Sequence, residues 1–225
     1  MIETRKLRKS FHNGNVETEI LKGIDFRVEK GEFVAIMGRS GAGKSTFMYQ
    51  MSLLDEPTSG EVIIADKHNA AKMSNDEKTS FRLARLGYVF QDYALIPELT
   101  ALENVALPLL MQDLPKKKAY KQAEDALKKV GLGTHMNQLP SQLSGGEQQR
   151  VSISRAIAHK PDILFADEPT ANLDNDSSKV ILNIFLELHK AGQTIVMVTH
   201  EIEYGKMAEK IVHLDDGRIT SITKN

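Results

Sequence analysis

The stretch from Phe33 to Ser45 restricts the fold more than any other part of the chain. Phe33-Val34-Ala35-Ile36-Met37 is a short run without a polar residue, the pattern of a strand buried on both faces. It stops at Gly38, and Gly38-Arg39-Ser40-Gly41-Ala42-Gly43-Lys44-Ser45 fits the spacing G-x-x-x-x-G-K-[ST]. Helix formers then run from Lys44 to Leu54, with Thr46 in the first turn. A strand, a glycine loop and a helix in that order make a cradle for phosphate. Glycines let the backbone wrap the anion, successive N–H groups point inward, and the helix N-terminus adds partial positive charge. Lys44 would reach the β- and γ-phosphates of a nucleotide, and the Ser45 hydroxyl would bind Mg²⁺. A chance match to this spacing is expected in about one chain in a hundred of this length. The strand-loop-helix context lowers that further, so the loop marks a nucleotide site without fixing the reaction.

The rest of the chain alternates strand and helix patterns. Ile2 to Lys9 and Ile24 to Val28 read as half-buried strands, with a turn at Asn13-Gly14-Asn15. The middle reads as helical. Capping-box patterns open helices at Ser74-Asn75-Asp76-Glu77, at Thr100-Ala101-Leu102-Glu103 and at Ser144-Gly145-Gly146-Glu147, the last reaching about His159. Ala119, Ala123, Leu127 and Val130 form an apolar stripe that ends at Gly131. Ile163 to Ala166 and Ile195 to Val198 read as buried strands, with a helix from Ser177 to Ala191 between them. Ile211 to Ile222 reads as a hairpin around Asp215-Asp216-Gly217. The expected fold class is α/β with a mostly parallel sheet.

The strand Ile163 to Ala166 runs into Asp167 and Glu168. In a parallel sheet that end lies where ligands bind. Asp167 can hold Mg²⁺ through water, and Glu168 can orient or deprotonate a water attacking the γ-phosphate. An isolated Asp-Glu is as often a solvated strand end. The phosphate loop tips the balance to function.

Bulk properties remove several classes. With 41% hydrophobic and 26% charged residues in 225, the chain can bury a core and stay soluble. Its net charge of -1 gives no global pull toward nucleic acid. It contains no cysteine, which excludes disulfides, thiolate metal sites and cysteine nucleophiles. The charged N-terminus, Met1 to Lys9, is not a signal peptide, and no apolar stretch is long enough to cross a bilayer. Lys116-Lys117-Lys118, Lys121, Lys128 and Lys129 share a helix with Glu124 and Asp125, which reads as a solvated face.

Leu143-Ser144-Gly145-Gly146-Glu147-Gln148-Gln149-Arg150 resembles the signature motif of ABC ATPases. A serine hydroxyl, glycine amides and a helix N-terminus make a second anion site. A capped surface helix would explain Ser144 and Glu147 but not paired glycines, which cost helix stability. The resemblance implies that Leu143 to Glu147 contact the γ-phosphate of ATP bound to a partner copy. Other elements follow in the family's order. Gln91, in Val89-Phe90-Gln91-Asp92, resembles the glutamine that binds Mg²⁺ and links to the helical part. Ala171-Asn172-Leu173-Asp174 resembles the D-loop, which places Asp174 at a dimer interface. His200 resembles the switch histidine on the γ-phosphate. The other six histidines carry no motif and read as surface or packing residues. Phe11 stands where the family stacks an aromatic, more usually tyrosine, on adenine; a core phenylalanine is the alternative. Ala42 stands where serine is common, at a position that contributes backbone.

The resemblance covers residues 2 to 222 and implies a P-loop NTPase core with an N-terminal antiparallel β sub-domain and an inserted α-helical sub-domain. The core would span 1–91 and about 160–225, and the helical part about 92–159. Leu99 to Leu109, Ala166 to Asp174 and Ile195 to His200 are similar to the branch of lipoprotein-release and macrolide-export ATPases, which includes the cell-division ATPase FtsE. The implied protein hydrolyses ATP with Mg²⁺, using Lys44, Glu168 and His200. It forms a homodimer on ATP binding and drives a separate integral membrane permease, in export or extraction. It would sit in the cytoplasm on the inner face of the membrane, held by that permease, with no nucleic-acid partner. The segment Asp92 to Leu110, with Tyr93, Leu95, Ile96 and Leu99, would dock the permease or pack internally. A regulatory ATPase like FtsE would carry the same motifs. Soluble ABC proteins acting on DNA or ribosomes usually carry two cassettes or a long coiled-coil insertion, and neither is present. A kinase outside the family would leave Leu143 to Arg150 without a role.

Overall fold

The computed structural model describes residues 1–14, 16–65 and 68–225. Its strands are β1 (Ile2–Asn13), β2 (Val16–Val28), β3 (Phe33–Met37), β4 (Ser59–Ile64), β5 (His68–Asn69), β6 (Leu86–Val89), β7 (Ile163–Asp167), β8 (Thr194–Val198), β9 (Lys210–Asp215) and β10 (Arg218–Lys224). Its α-helices are α1 (Lys44–Met51), α2 (Asn75–Arg85), α3 (Ala101–Met111), α4 (Lys116–Lys129), α5 (Gly145–Ile157), α6 (Asn175–Lys190) and α7 (Ile202–Gly205). The chain forms two compact units, Met1–Ser80 with Gly192–Asn225, and Phe81–Ala191.

The first unit holds two sheets. β2, β1, β4 and β5 are antiparallel neighbours in that order, with Ile2 opposite both Val28 and Ile64. β3 lies between β8 and β9 and is parallel to both, so Ala35 faces Met197 on one side and Ile211 on the other. Every residue of β3 and β8 is buried, which is why both read as unbroken apolar runs. β10 returns antiparallel to β9 as the expected hairpin. α1 buries Phe47, Met48 and Met51, and the Phe47 ring meets Phe26 edge-on with centroids 6.0 Å apart.

In the second unit β6 runs parallel to β7, with Val89 opposite Ala166. Three helices, α3, α4 and α5, pack on one another. Val105, Leu109, Ala123, Leu127 and Ile153 are fully or almost fully buried among them. The α4 stripe lies on the buried side, and the helix stops before Gly131 at φ 77. Both expected capping boxes of this unit are formed, at Thr100 and at Ser144. Asn104 is fully buried; its side chain binds the carbonyls of Ile96, Leu99 and Thr100 and accepts from the Ile96 amide at 2.8 Å. That one side-chain amide fixes the entry to α3.

Several boundaries differ from expectation. α1 ends at Met51 rather than Leu54, because Leu53 turns left-handed at φ 60 and Leu54 bonds back to the Tyr49 carbonyl. β1 and β2 extend well past the apolar alternation, held by cross-strand pairing such as Phe11 opposite Thr18. β4, β6 and the short α7 add to the elements expected, so the middle is not wholly helical. β6 is only four residues, contains Gly87, and follows α2 with no turn residue to mark the change. Gly87 has a packing reason: a Cβ there would stand 2.4 Å from the Ala156 carbonyl oxygen of α5. The expected turn at Asn13-Gly14-Asn15 is described only at Asn13 and Gly14, the latter at φ 60; Asn15 lies outside the described residues.

Candidate functional site

In the first unit β3 delivers the glycine loop to the C-terminal edge of the parallel strands. Gly38 lies so close to the neighbouring strand that a Cβ would stand 2.1 Å from the Leu214 carbonyl oxygen. No other residue fits there. The loop closes with the Ala42 amide bonded to the Arg39 carbonyl, and with the Gly217 amide bonded to the Ala42 carbonyl. Arg39, Ser40 and Gly41 are exposed, while Ala42 is buried. Gly43 is the N-cap of α1, at φ 95, and has no side chain to cap the helix. Thr100, Ser144 and Asp174 each cap their own helices with an oxygen. The α1 N-terminus is built differently: Gly43 brings no side-chain oxygen to its first amides. Lys44 is only 7% exposed, and its ammonium donates to the Arg39 carbonyl at 3.1 Å. Ser45 and Thr46 follow in the first turn, half-buried.

His200 emerges at the same edge. The Thr199 amide bonds to the Ile36 carbonyl of β3, one residue before Met37 and Gly38. The imidazole is half exposed and its Nε2 lies 3.4 Å from a Glu201 carboxylate oxygen. Phe11 stands on β1 with 48% of its surface exposed and the Lys9 ammonium 4.9 Å from its ring centroid. It is a presented aromatic face, so the core alternative is excluded.

The second unit gathers the remaining candidates. Because β6 and β7 are parallel and in register, Gln91 leaves the strand pair at the same end as Asp167 and Glu168. Asp167 is 5% exposed. Glu168 has φ 41, a left-handed conformation that a side chain with a Cβ adopts at a cost of about 1–3 kcal/mol. It is fixed by the turn that bonds the Ala171 amide to the Glu168 carbonyl. Asn172 then donates its side-chain amide to the Gln91 carbonyl at 3.1 Å. Asp174 caps α6 through the amide and hydroxyl of Ser177, at 2.8 and 2.9 Å. Those bonds hold its carboxyl below the usual carboxylate range.

The same unit explains the paired glycines. A Cβ on Gly145 would stand 2.9 Å from the Tyr93 hydroxyl, and one on Gly146 would stand 2.8 Å from Ser177 Oγ. The start of α5 therefore lies between the segment after Gln91 and the start of α6. Leu143 is buried and anchors the turn before it. Ser144 accepts from the Glu147 amide at 3.3 Å, and the Glu147 carboxylate accepts from both the amide and the hydroxyl of Ser144 at 2.8 Å. The bonds to Ser144 hold the Glu147 carboxyl below its usual range, with His135 and Arg150 adding to the effect. Tyr93 sits inward over Gly145 and Arg155 binds its carbonyl, so it is part of this packing rather than a free apolar face.

Residue patterns alone do not single out Asn172, Arg155 or His135. Asn172 stands only within a motif, Arg155 lies on an ordinary helix, and His135 lies outside every pattern. Their partners are set by tertiary contacts that no spacing reports.

A family model described as ABC transporter matches residues 21–171. The lipoprotein-releasing system ATP-binding protein LolD of Aquifex aeolicus is 49% identical over 202 residues, covering 89% of each chain. The macrolide export ATP-binding/permease protein MacB of Campylobacter fetus is 43% identical over 224 residues, which are 100% of this chain and 35% of that one. A solved dimeric ATP-binding cassette, in a post-hydrolysis state bound to ADP and Pi, superposes with a TM-score of 0.93 at 39% identity, covering 100% of this chain and 98% of that one. With a family model over more than half its length and relatives of this similarity, the chain belongs to the ABC transporter family, as one of its ATP-binding cassettes.

Proposed function

We propose that this chain is the ATP-hydrolysing subunit of a membrane transporter, closing as a head-to-tail homodimer on two ATP molecules and driving a separate permease in export or extraction. The observation that carries the reading is Lys44: a buried ammonium in the first turn of a helix whose N-cap is glycine, at the end of a buried parallel strand. The loop from Gly38 to Thr46 wraps the phosphates. Lys44 neutralises the β- and γ-phosphates, and Phe11 stacks on the base.

Glu168 orients the attacking water and takes its proton as the oxygen bonds to the γ-phosphorus. The bond from that phosphorus to the bridging oxygen breaks, and ADP and phosphate leave. His200 contacts the γ-phosphate from the end of β8. Ser144, Gly145 and Gly146 of one copy complete the ATP site of the other, with Leu143 and Glu147 shaping that turn. Asp174 lies at the joint between copies. ATP binding closes the dimer and hydrolysis releases it.

Ser45, Gln91 and Asp167 offer a hydroxyl, an amide and a carboxylate, the hard oxygen donors that Mg²⁺ takes together with phosphate and water. Bound there, Mg²⁺ would neutralise charge developing on the transferred phosphate.

A membrane partner is supported by the name of the relative that joins ATP-binding and permease functions in one longer chain. No helix among the described residues is long and apolar enough to cross a membrane. On this reading the subunit works in the cytoplasm on the inner face, held by its permease near Gln91 and the segment from Asp92 to Leu110.

The test is the molecular mass of E168Q in solution with and without ATP and Mg²⁺. The change keeps the shape and removes the base, so ATP persists. Doubling of the mass only when ATP is present supports the sandwich and the role of Glu168. Tight ATP binding by a protein that stays monomeric would overturn the proposal that the subunit closes on ATP unaided.

A further inference from the structure

Glu147 poses an electrostatic problem for a turn that must receive a phosphate. Its carboxylate is ionised at neutral pH and lies 2.8 Å from the Ser144 hydroxyl, the group expected to donate to an anion. A second negative charge at that turn opposes the phosphate. The other carboxylate oxygen of Glu147 lies 3.3 Å from His135 Nε2, and His135 Nδ1 lies 3.1 Å from Thr134 Oγ1. Arg150, one turn along α5, also acts on Glu147. Thr134, His135, Glu147 and Ser144 thus form one chain of polar contacts ending at the hydroxyl of the phosphate-facing turn. The His135 and Glu147 side chains are 31% and 23% exposed, so the pair is neither solvent-screened completely nor locked away.

We infer that His135 is a positioning residue for the signature turn: it holds the outer oxygen of Glu147 and offsets the negative charge at the turn, so that the turn can receive the γ-phosphate of a partner copy's ATP. With the Thr134 hydroxyl donating to Nδ1, the ring presents an N–H on Nε2 toward Glu147. Without His135, the full charge of Glu147 faces the incoming phosphate. Glu147 ties this device to the chain in hand, because a neutral amide at the same position would cap Ser144 without needing a partner. The inference rests on the sandwich reading.

The test is a double-mutant cycle in the E168Q background, with ATP-dependent dimerisation followed by sedimentation and ATP binding to the monomer measured separately. H135A should weaken dimerisation about tenfold, since each partly exposed pair is worth about threefold and two act in every dimer. ATP binding to the monomer and the melting temperature should change little. E147Q should tighten dimerisation severalfold, and H135A added to E147Q should then have no further effect. If H135A leaves dimerisation unchanged, or weakens it as much in the presence of E147Q as in its absence, the inference fails while the sandwich stands. If the E168Q parent itself stays monomeric with ATP, the sandwich reading fails and this one falls with it.

Discussion

Arg155 donates from its two terminal nitrogens to consecutive backbone carbonyls, those of Tyr93 at 2.9 Å and Ala94 at 2.5 Å. Both residues are left-handed, at φ 62 and φ 48, immediately after Gln91 and Asp92. Two such residues in a row cost about 1–3 kcal/mol each and persist only where the surroundings impose them. A guanidinium matches two adjacent carbonyls because its donors form a rigid fork. Burial pushes its pKa down, and it keeps its charge because its ordinary value is so high.

R155M keeps most of the length and loses every donor. It should destabilise the chain by about 2–4 kcal/mol, the worth of a pair of charge-assisted bonds, in a urea titration. R155K, which can reach one carbonyl at a time, should recover part of that. If R155M melts with wild-type stability, the fork is not what holds Tyr93 and Ala94.

Gly146 and Ser177 set the approach of α5 to α6. G146A should cost about 1–3 kcal/mol, because the new Cβ meets Ser177 Oγ at 2.8 Å and Ser177 Cβ at 3.0 Å. S177G removes both atoms and leaves Cα at 4.0 Å. Combined with G146A, it should therefore show a favourable coupling, with the double variant more stable than the sum of the singles predicts. Strict additivity would mean that α6 simply moves away, and that Gly146 is not placed by this contact.

This contact also shows where the sequence is legible and where it is not. β3, β7, β8 and the capped helices can be read because a buried parallel strand and a capping box leave local patterns. The phosphate loop can be read because a strand, two glycines at fixed spacing, a lysine and a hydroxyl must occur in order. The paired glycines of α5 are legible as an anomaly, and their packing cause is not, because Tyr93 and Ser177 lie far away in sequence. β6 is hidden because four residues after a helix carry no period. Phe11 is ambiguous because an aromatic on a strand alternation looks the same whether its face is turned in or out.

His159 gives the chain a built-in sensitivity to acid. Its Nε2 lies 3.0 Å from the Leu86 carbonyl, and its Nδ1 is buried without a hydrogen-bond partner. Burial pushes its pKa down, and the bond to Leu86 only partly opposes that. The unfolded chain therefore takes up the proton first, near pH ~6.5. Stability from this group is complete above that pH and is lost as pH falls toward the lower folded value. The melting temperature of the wild type should drop more between pH 7.5 and pH 5.5 than that of H159Q (both about one unit either side of the ordinary imidazole value). Parallel pH profiles would show that His159 stays uncharged in both states or is solvated when folded.

Phe11 offers a prediction that separates base from phosphate. Its exposed face suits a purine, and stacking of a base on an aromatic is worth about 1–3 kcal/mol. F11A should weaken ATP binding by about tenfold or more by that measure, while leaving the binding of inorganic tripolyphosphate, which has no base to stack, unchanged. F11Y should bind ATP as well as the wild type, since either ring presents the same kind of face. The exposed position of Phe11 keeps the test clean, because truncating a side chain that is 48% exposed leaves no cavity to unfold the strand. Equal losses for ATP and tripolyphosphate would mean that Phe11 acts through the loop and not through the base. No loss for either would place the adenine elsewhere and leave Phe11 as a surface residue whose ring is covered by Lys9.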